Sequence, residues 1–196
     1  MASFSFVCVD FQKEFTDPSG NFYINRPMVG FTKNKLIPAL IKKRYKVSEI
    51  VADYRQPRHG DKKNNCVPGT PGFESELPAI IKNKAWVKAM NSPLWTRKNA
   101  GVAKKTGWPY IDAAGFDKWL KKNVRSRNCL LFGLTLDRCL FCVAQELSFM
   151  GYKVSIIREA CDTYSGNAKE KELLLKTAPV TNWAKPVSWN TVKKNI

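Results

Sequence analysis

A single histidine, His59, stands in the whole chain, and acids are scarce: 16 Asp and Glu against 33 Lys and Arg. One imidazole rules out a zinc site built on several histidines. No apolar run approaches the length that spans a bilayer. The first ten residues carry no basic segment, and Asp10 ends their apolar stretch, which argues against a secretory leader. Internal repeats, low-complexity tracts and linker-like segments are absent from the sequence. Six scattered cysteines in such a chain fit a reducing, cytoplasmic setting better than a disulfide framework. The formal charge of +17 would suit a nucleic-acid partner. Yet the lysines are spread in pairs, such as Lys42-Lys43 and Lys121-Lys122, with no RNA-binding signature or zinc-finger spacing. A solvated basic surface accounts for them, and a small-molecule substrate is expected in place of nucleic acid or membrane.

What is present is the alternation of an α/β domain. Its 196 residues and 44% hydrophobic content suffice for one core. Strands are expected at Ser5–Asp10, Val47–Tyr54, Ala85–Met90, Cys129–Leu136 and Tyr152–Arg158, with a weak one near 180–187. Helices are expected around 30–44, 77–83, 116–122, 138–151 and 167–176, with a short terminal one. Residues 91–111 read as a loop or broken helix. Strands alternating with helices predict a three-layer α/β/α sandwich around a mostly parallel, Rossmann-like sheet. Sites in such folds open beyond the carboxyl ends of the strands. Asp10, Asp53 and Cys139 all fall there.

Cys139 joins the apolar run 129–136 to a helical segment whose apolar residues (Leu140, Val143, Ala144, Leu147) recur at helical spacing. A helix start favours thiolate, so Cys139 is the candidate nucleophile. Asp10 needs a partner or solvent, since it ends an apolar strand; capping of the next turn is the plainer reading of it alone.

Three ordered segments then resemble the isochorismatase-like cysteine hydrolase superfamily, which includes nicotinamidases and N-carbamoyl amidohydrolases. They are Val9-Asp10-Phe11-Gln12-Lys13-Glu14-Phe15, Cys66-Val67-Pro68-Gly69-Thr70-Pro71-Gly72 with Glu76-Leu77, and Gly133-Leu134-Thr135-Leu136-Asp137-Arg138-Cys139. Leu136 stands where the family usually has threonine. The resemblance implies one hydrolase domain over 1–196, no cofactor, a dimer or tetramer, and an Asp-Lys-Cys triad. Asp10 and Cys139 carry over directly. Lys105 is the expected lysine by its distance from Cys139, with Lys104 as its rival. The resemblance also implies a cis peptide between Leu134 and Thr135, and an oxyanion hole from the N–H groups of Thr135 and Cys139. Phe15, Arg55 and Trp108 are the expected substrate-binding side chains.

The family's metal motif fails here. Asp53-Tyr54-Arg55 replaces Asp-x-His, Asn65 precedes Cys66 where nicotinamidases have histidine, and only His59 remains, so no metal is expected. Arg55 would grip a substrate carboxylate or phosphate, or pair with Asp53. Isochorismatases proper lack the nucleophilic cysteine, so Cys139 points to C–N hydrolysis of an amide, ureido or carbamoyl group through a thioester. Two rivals compete with this. Cys139-Leu140-Phe141-Cys142 has the spacing of a dithiol oxidoreductase. A non-catalytic or regulatory binding protein on the same fold could use the basic surface for an anionic partner. The remaining cysteines, Cys8, Cys66, Cys129 and Cys161, read as structural.

Overall fold

The structure is a computed structural model that describes residues 4–196. Among these residues eight strands form: β1 Ser5–Val9, β2 Val47–Ala52, β3 Trp86–Lys88, β4 Trp95–Thr96, β5 Tyr110–Ile111, β6 Asn128–Leu134, β7 Lys153–Asp162 and β8 Lys185–Val187. Six of them make one sheet in the order β3-β2-β1-β6-β7-β8, and every pair in it is parallel. Strands covered on both faces need unbroken apolar sequence. Accordingly Phe6 to Val9 and Cys129 to Leu134 are buried without interruption.

The helices are α1 Lys13–Thr16, α2 Pro27–Phe31, α3 Ile37–Lys42, α4 Ala113–Asn123, α5 Cys139–Phe149, α6 Ala168–Leu174, α7 Val180–Trp183 and α8 Trp189–Lys193. They flank the sheet in the expected three-layer α/β arrangement. Helix α5 buries Cys139, Leu140, Val143, Ala144 and Leu147 and stops at Gly151, whose φ of 79° continues no helix. Between α2 and α3 lies a π turn, Thr32–Leu36. It sits just before Pro38, which has no N–H to extend a regular ladder. Among the described residues no helix is long and apolar enough to cross a membrane.

Three elements differ from the sequence expectation. The helix expected at 77–83 is only a 3-10 turn, Ala79–Ile81. Residues 91–111 hold an antiparallel hairpin, β4 with β5, pairing Trp95 with Ile111 and Thr96 with Tyr110. Its two-residue arms are too short to show a period. The segment near 180–187 splits into α7 and the edge strand β8, where Pro186 is tolerated because an edge needs no donor on its outer side.

The chain leaves β1 toward β2 on one side and leaves β6 toward β7 on the other, so the strand order reverses between β1 and β6. A crevice opens beyond the carboxyl ends of two such strands. Gly133 lets them close up tightly. A β-carbon there would lie 2.0 Å from the Val9 carbonyl oxygen, and φ is 121°.

Candidate active site

Asp10 follows β1 directly, and Thr135 to Cys139 follow β6, so both emerge into this crevice. Asp10 has φ 48°, and its N–H donates to the Ile50 carbonyl at 2.9 Å. That turn aims the carboxyl inward, where it is fully buried. Its counter-charge is Lys88, the last residue of β3. From two strands away the long side chain reaches across the end of β2 and sets Nζ 2.8 Å from Asp10 Oδ2, with neither group exposed. The approach is that of an ion pair; its angle lies outside hydrogen-bond geometry, so neither Asp10 oxygen has a well-aligned donor.

Tyr54 joins this pair to the sulfur. Lys88 Nζ donates to the Tyr54 hydroxyl at 2.5 Å, and that hydroxyl lies 3.1 Å from Cys139 Sγ. On its other side Cys139 Sγ donates to Asn91 Oδ1 at 3.5 Å. The Leu134–Thr135 peptide is cis. Thr135 Oγ1 is buried with no hydrogen-bond partner, and Thr135 lines the cavity beside the sulfur.

The charges are set by burial. Burial pushes the Asp10 carboxyl above its ordinary range, against the pull of the Lys88 ammonium. Burial draws Lys88 down, but Asp10 and Cys139 outweigh it and leave the amine above its usual value. Cys139 is pushed up to about 12 by burial, with Lys88 opposing and Asp10 adding to the rise. The sequence expectation of a resting thiolate is therefore corrected. The helix start and the ammonium do not overcome desolvation, because Lys88 is already neutralised by Asp10. The sulfur therefore rests as a thiol, beside an ammonium.

Lys105 is the second correction. It is exposed on the loop between β4 and β5, where its carbonyl accepts from Asn99 Nδ2. Lys104 is exposed too, and its carbonyl accepts from Arg55 Nη1. Chain spacing from Cys139 misled because the hairpin carries both lysines outward. The signal that would have found Lys88 was a lone charge inside Ala85-Trp86-Val87-Lys88-Ala89-Met90.

Among the expected substrate-binding residues, Phe15 is buried and lines a small cavity of about 30 Å³ with Cys139, Tyr54, Arg58, Asn91 and Tyr164. Arg55 does not face it. Its Nε and Nη2 hold Asp53 at 2.8 and 2.6 Å, and its remaining bonds go to the carbonyls of Asn99 and Lys104. Trp108 also stands apart, 58% exposed and stacked on His59 with ring centroids 5.0 Å apart. Tyr54, Lys88, Asn91 and Arg58 complete the site, and sequence reasoning passed over all four.

No family model matches the sequence, and no curated protein does. Solved structures do match. An isochorismatase family protein from Desulfovibrio vulgaris superposes with a TM-score of 0.70 over 100% of this chain and 98% of its own, at 16% identity. The chain has the isochorismatase-like fold. Pyrazinamidase of Pyrococcus horikoshii, solved in complex with zinc, gives 0.68 at 18% identity over 95% of this chain and 99% of that one. N-carbamoylsarcosine amidase from Thermoplasma acidophilum gives 0.59 at 17% identity over 96% of each.

A zinc ion does not fit the corresponding residues of this chain. The Asp53 carboxylate is taken by the Arg55 guanidinium and by the Gly101 N–H at 3.0 Å. A cation placed there would face a guanidinium in place of imidazoles. His59 is engaged with Trp108, and no cluster of three metal-ligating side chains exists among the described residues.

Proposed function

We propose that this protein is a cysteine-dependent hydrolase that cleaves a C–N bond (amide, ureido or carbamoyl) of a small molecule, with Asp10, Lys88 and Cys139 as its triad. The observation that carries this is one buried cluster at the sheet's switch point: a carboxylate and an ammonium 2.8 Å apart, linked through Tyr54 to a thiol. Neighbours named pyrazinamidase, nicotinamidase and N-carbamoylsarcosine amidase share the fold around it.

The chemistry follows from the charges. Asp10 takes the thiol proton as sulfur attacks the acyl carbon, so thiolate exists only along the reaction path. A raised carboxyl is the better base for that transfer, and Lys88 keeps it ionised. The N–H groups of Thr135 and Cys139 face the developing oxyanion, each such donor contributing about 3 kcal/mol. Protonated Asp10 then gives its proton to the leaving nitrogen, and water, deprotonated by Asp10, hydrolyses the thioester. Asn91 and Tyr54 hold the sulfur in position.

The test is a screen of small amides, ureides and carbamoyl compounds for ammonia or amine release, with Cys139→Ala beside the wild type. Turnover lost in the variant, and an acyl adduct on Cys139 by mass spectrometry, is the expected result. Turnover that survives Cys139→Ala, or none with any compound, overturns the proposal and favours the binding-protein reading. Cys142→Ser retaining full turnover separates this chemistry from dithiol exchange; Cys142 and Cys139 are both free thiols.

A further inference from the structure

Arg55, ion-paired with Asp53, has two further guanidiniums, Arg58 and Arg97, in its electrostatic neighbourhood. Arg97 feels Asp53, Arg55 and Arg58 electrostatically. Asp53 is already held by two Arg55 nitrogens and the Gly101 N–H. Asp10, the other buried acid that Arg58 feels, is already ion-paired with Lys88. Arg97 is only 2% exposed, yet its Nε, Nη1 and Nη2 all lack hydrogen-bond partners. Arg58 Nη1 is likewise buried and unpartnered.

A buried guanidinium with no acceptor is costly, and folds rarely keep one without a partner to be supplied. A cavity and a cleft beside Arg58 offer a place for such a partner. Arg58 lies flat on the Tyr54 ring, 4.0 Å from its centroid, on the same ring whose hydroxyl touches Cys139. Arg58 lines the cavity that holds Cys139, and also the adjoining cleft beside His59 and Trp95. Asp61, the acid at that cavity, is exposed.

We infer that Arg58, reinforced by the charge of the nearby buried Arg97, forms a subsite for an oxyanion, a carboxylate or phosphate carried by the substrate within a few bonds of the scissile C–N group. The inference rests on the hydrolase reading above and names its substrate class. Arg58 meets the anion at the cavity wall, and the anion offsets the charge that Arg97 adds nearby. Planar guanidinium forks match both carboxylate and phosphate. An arginine-backed anion pocket thus stands beside the aspartate whose counterpart holds metal in nicotinamidases.

Two measurements test this without turnover. In a Cys142→Ser background, Cys139 is alkylated by iodoacetate and by iodoacetamide at one pH, so the thiolate fraction cancels. Mass spectrometry locates the adduct. Relative to N-acetylcysteine, the rate ratio is expected to favour the anionic reagent by about tenfold. It returns to the free-thiol value in Arg58→Gln and Arg97→Gln and does not move in Lys118→Gln, an exposed control. A wild-type ratio equal to that of the free thiol overturns the subsite.

The second measurement is the melting temperature in inorganic phosphate, acetate and chloride at matched ionic strength. Wild type is expected to be stabilised by phosphate or acetate beyond chloride, and the stronger of the two identifies the oxyanion. Arg97→Met, which removes a buried charge while keeping bulk, is expected to fold and to lose that dependence. Equal melting in all three salts, or a dependence unchanged in Arg97→Met, overturns the inference. Because neither readout needs hydrolysis, a chain that binds oxyanions but turns over no amide would sink the hydrolase reading alone.

Discussion

Two buried aspartates end neighbouring strands of this sheet, each ion-paired with one cation, and they differ in how completely they are satisfied. Asp53, after β2, is saturated by the Arg55 fork and the Gly101 amide. Asp10, after β1, has a point charge nearby and no aligned donor. Saturation makes a carboxylate inert, because every lone pair is committed. An aspartate compensated in charge but not in hydrogen bonds keeps lone pairs free to accept a proton. The contrast separates a pair that holds the fold from a pair suited to chemistry.

Lys88→Met should break that contrast most severely. It strands Asp10 as an uncompensated buried carboxyl, and losing one partner of such a pair costs about 3–5 kcal/mol. Urea unfolding would show the loss, and turnover of any substrate found should fall by about 100-fold or more. Arg55→Met should be milder, at about 3 kcal/mol, because the freed carboxylate keeps the Gly101 N–H and the electrostatic attraction of Arg97. Turnover of the folded fraction should stay within about tenfold of wild type. Equal losses of activity in both variants would erase the distinction between the two aspartates.

The pH dependence sharpens it further. Asp10 must be ionised to act as base and its carboxyl is raised, so kcat/KM should decline as pH falls through that raised value. The stability sign is opposite. A carboxyl raised on folding favours the folded state below its unfolded value, and that contribution is lost as pH rises through the folded one. Asp10→Asn should therefore flatten the stability profile in that window while abolishing turnover. The smallest effect belongs to Lys105→Ala: an exposed hairpin lysine should change stability by less than about 0.5 kcal/mol and leave turnover alone.

The core strands and the helix after Cys139 were legible because burial on both faces writes itself as apolar runs, and helices as spaced ones. Asp10 and Cys139 were legible as polar ends of such runs. Lys88 was marked only by being a lone charge in an apolar strand, while the partner that gives it a role lies 78 positions earlier, two strands over. The sulfur's resting state was misjudged for a related reason. A helix start is visible in sequence, but the dryness of the pocket around it is not. Arg55 and Arg97 show the same limit, as their roles depend on which of several cations reaches Asp53 first.

Gly133 has a reach beyond its own position. The hydrogen that serves as its side chain makes the seam between the first and sixth strands as narrow as backbone allows, and the acid and the sulfur hang from the two sides of that seam. One methyl group there would act as a wedge, parting proton acceptor from nucleophile while altering neither. Evolutionary drift at this position is closed off by geometry alone.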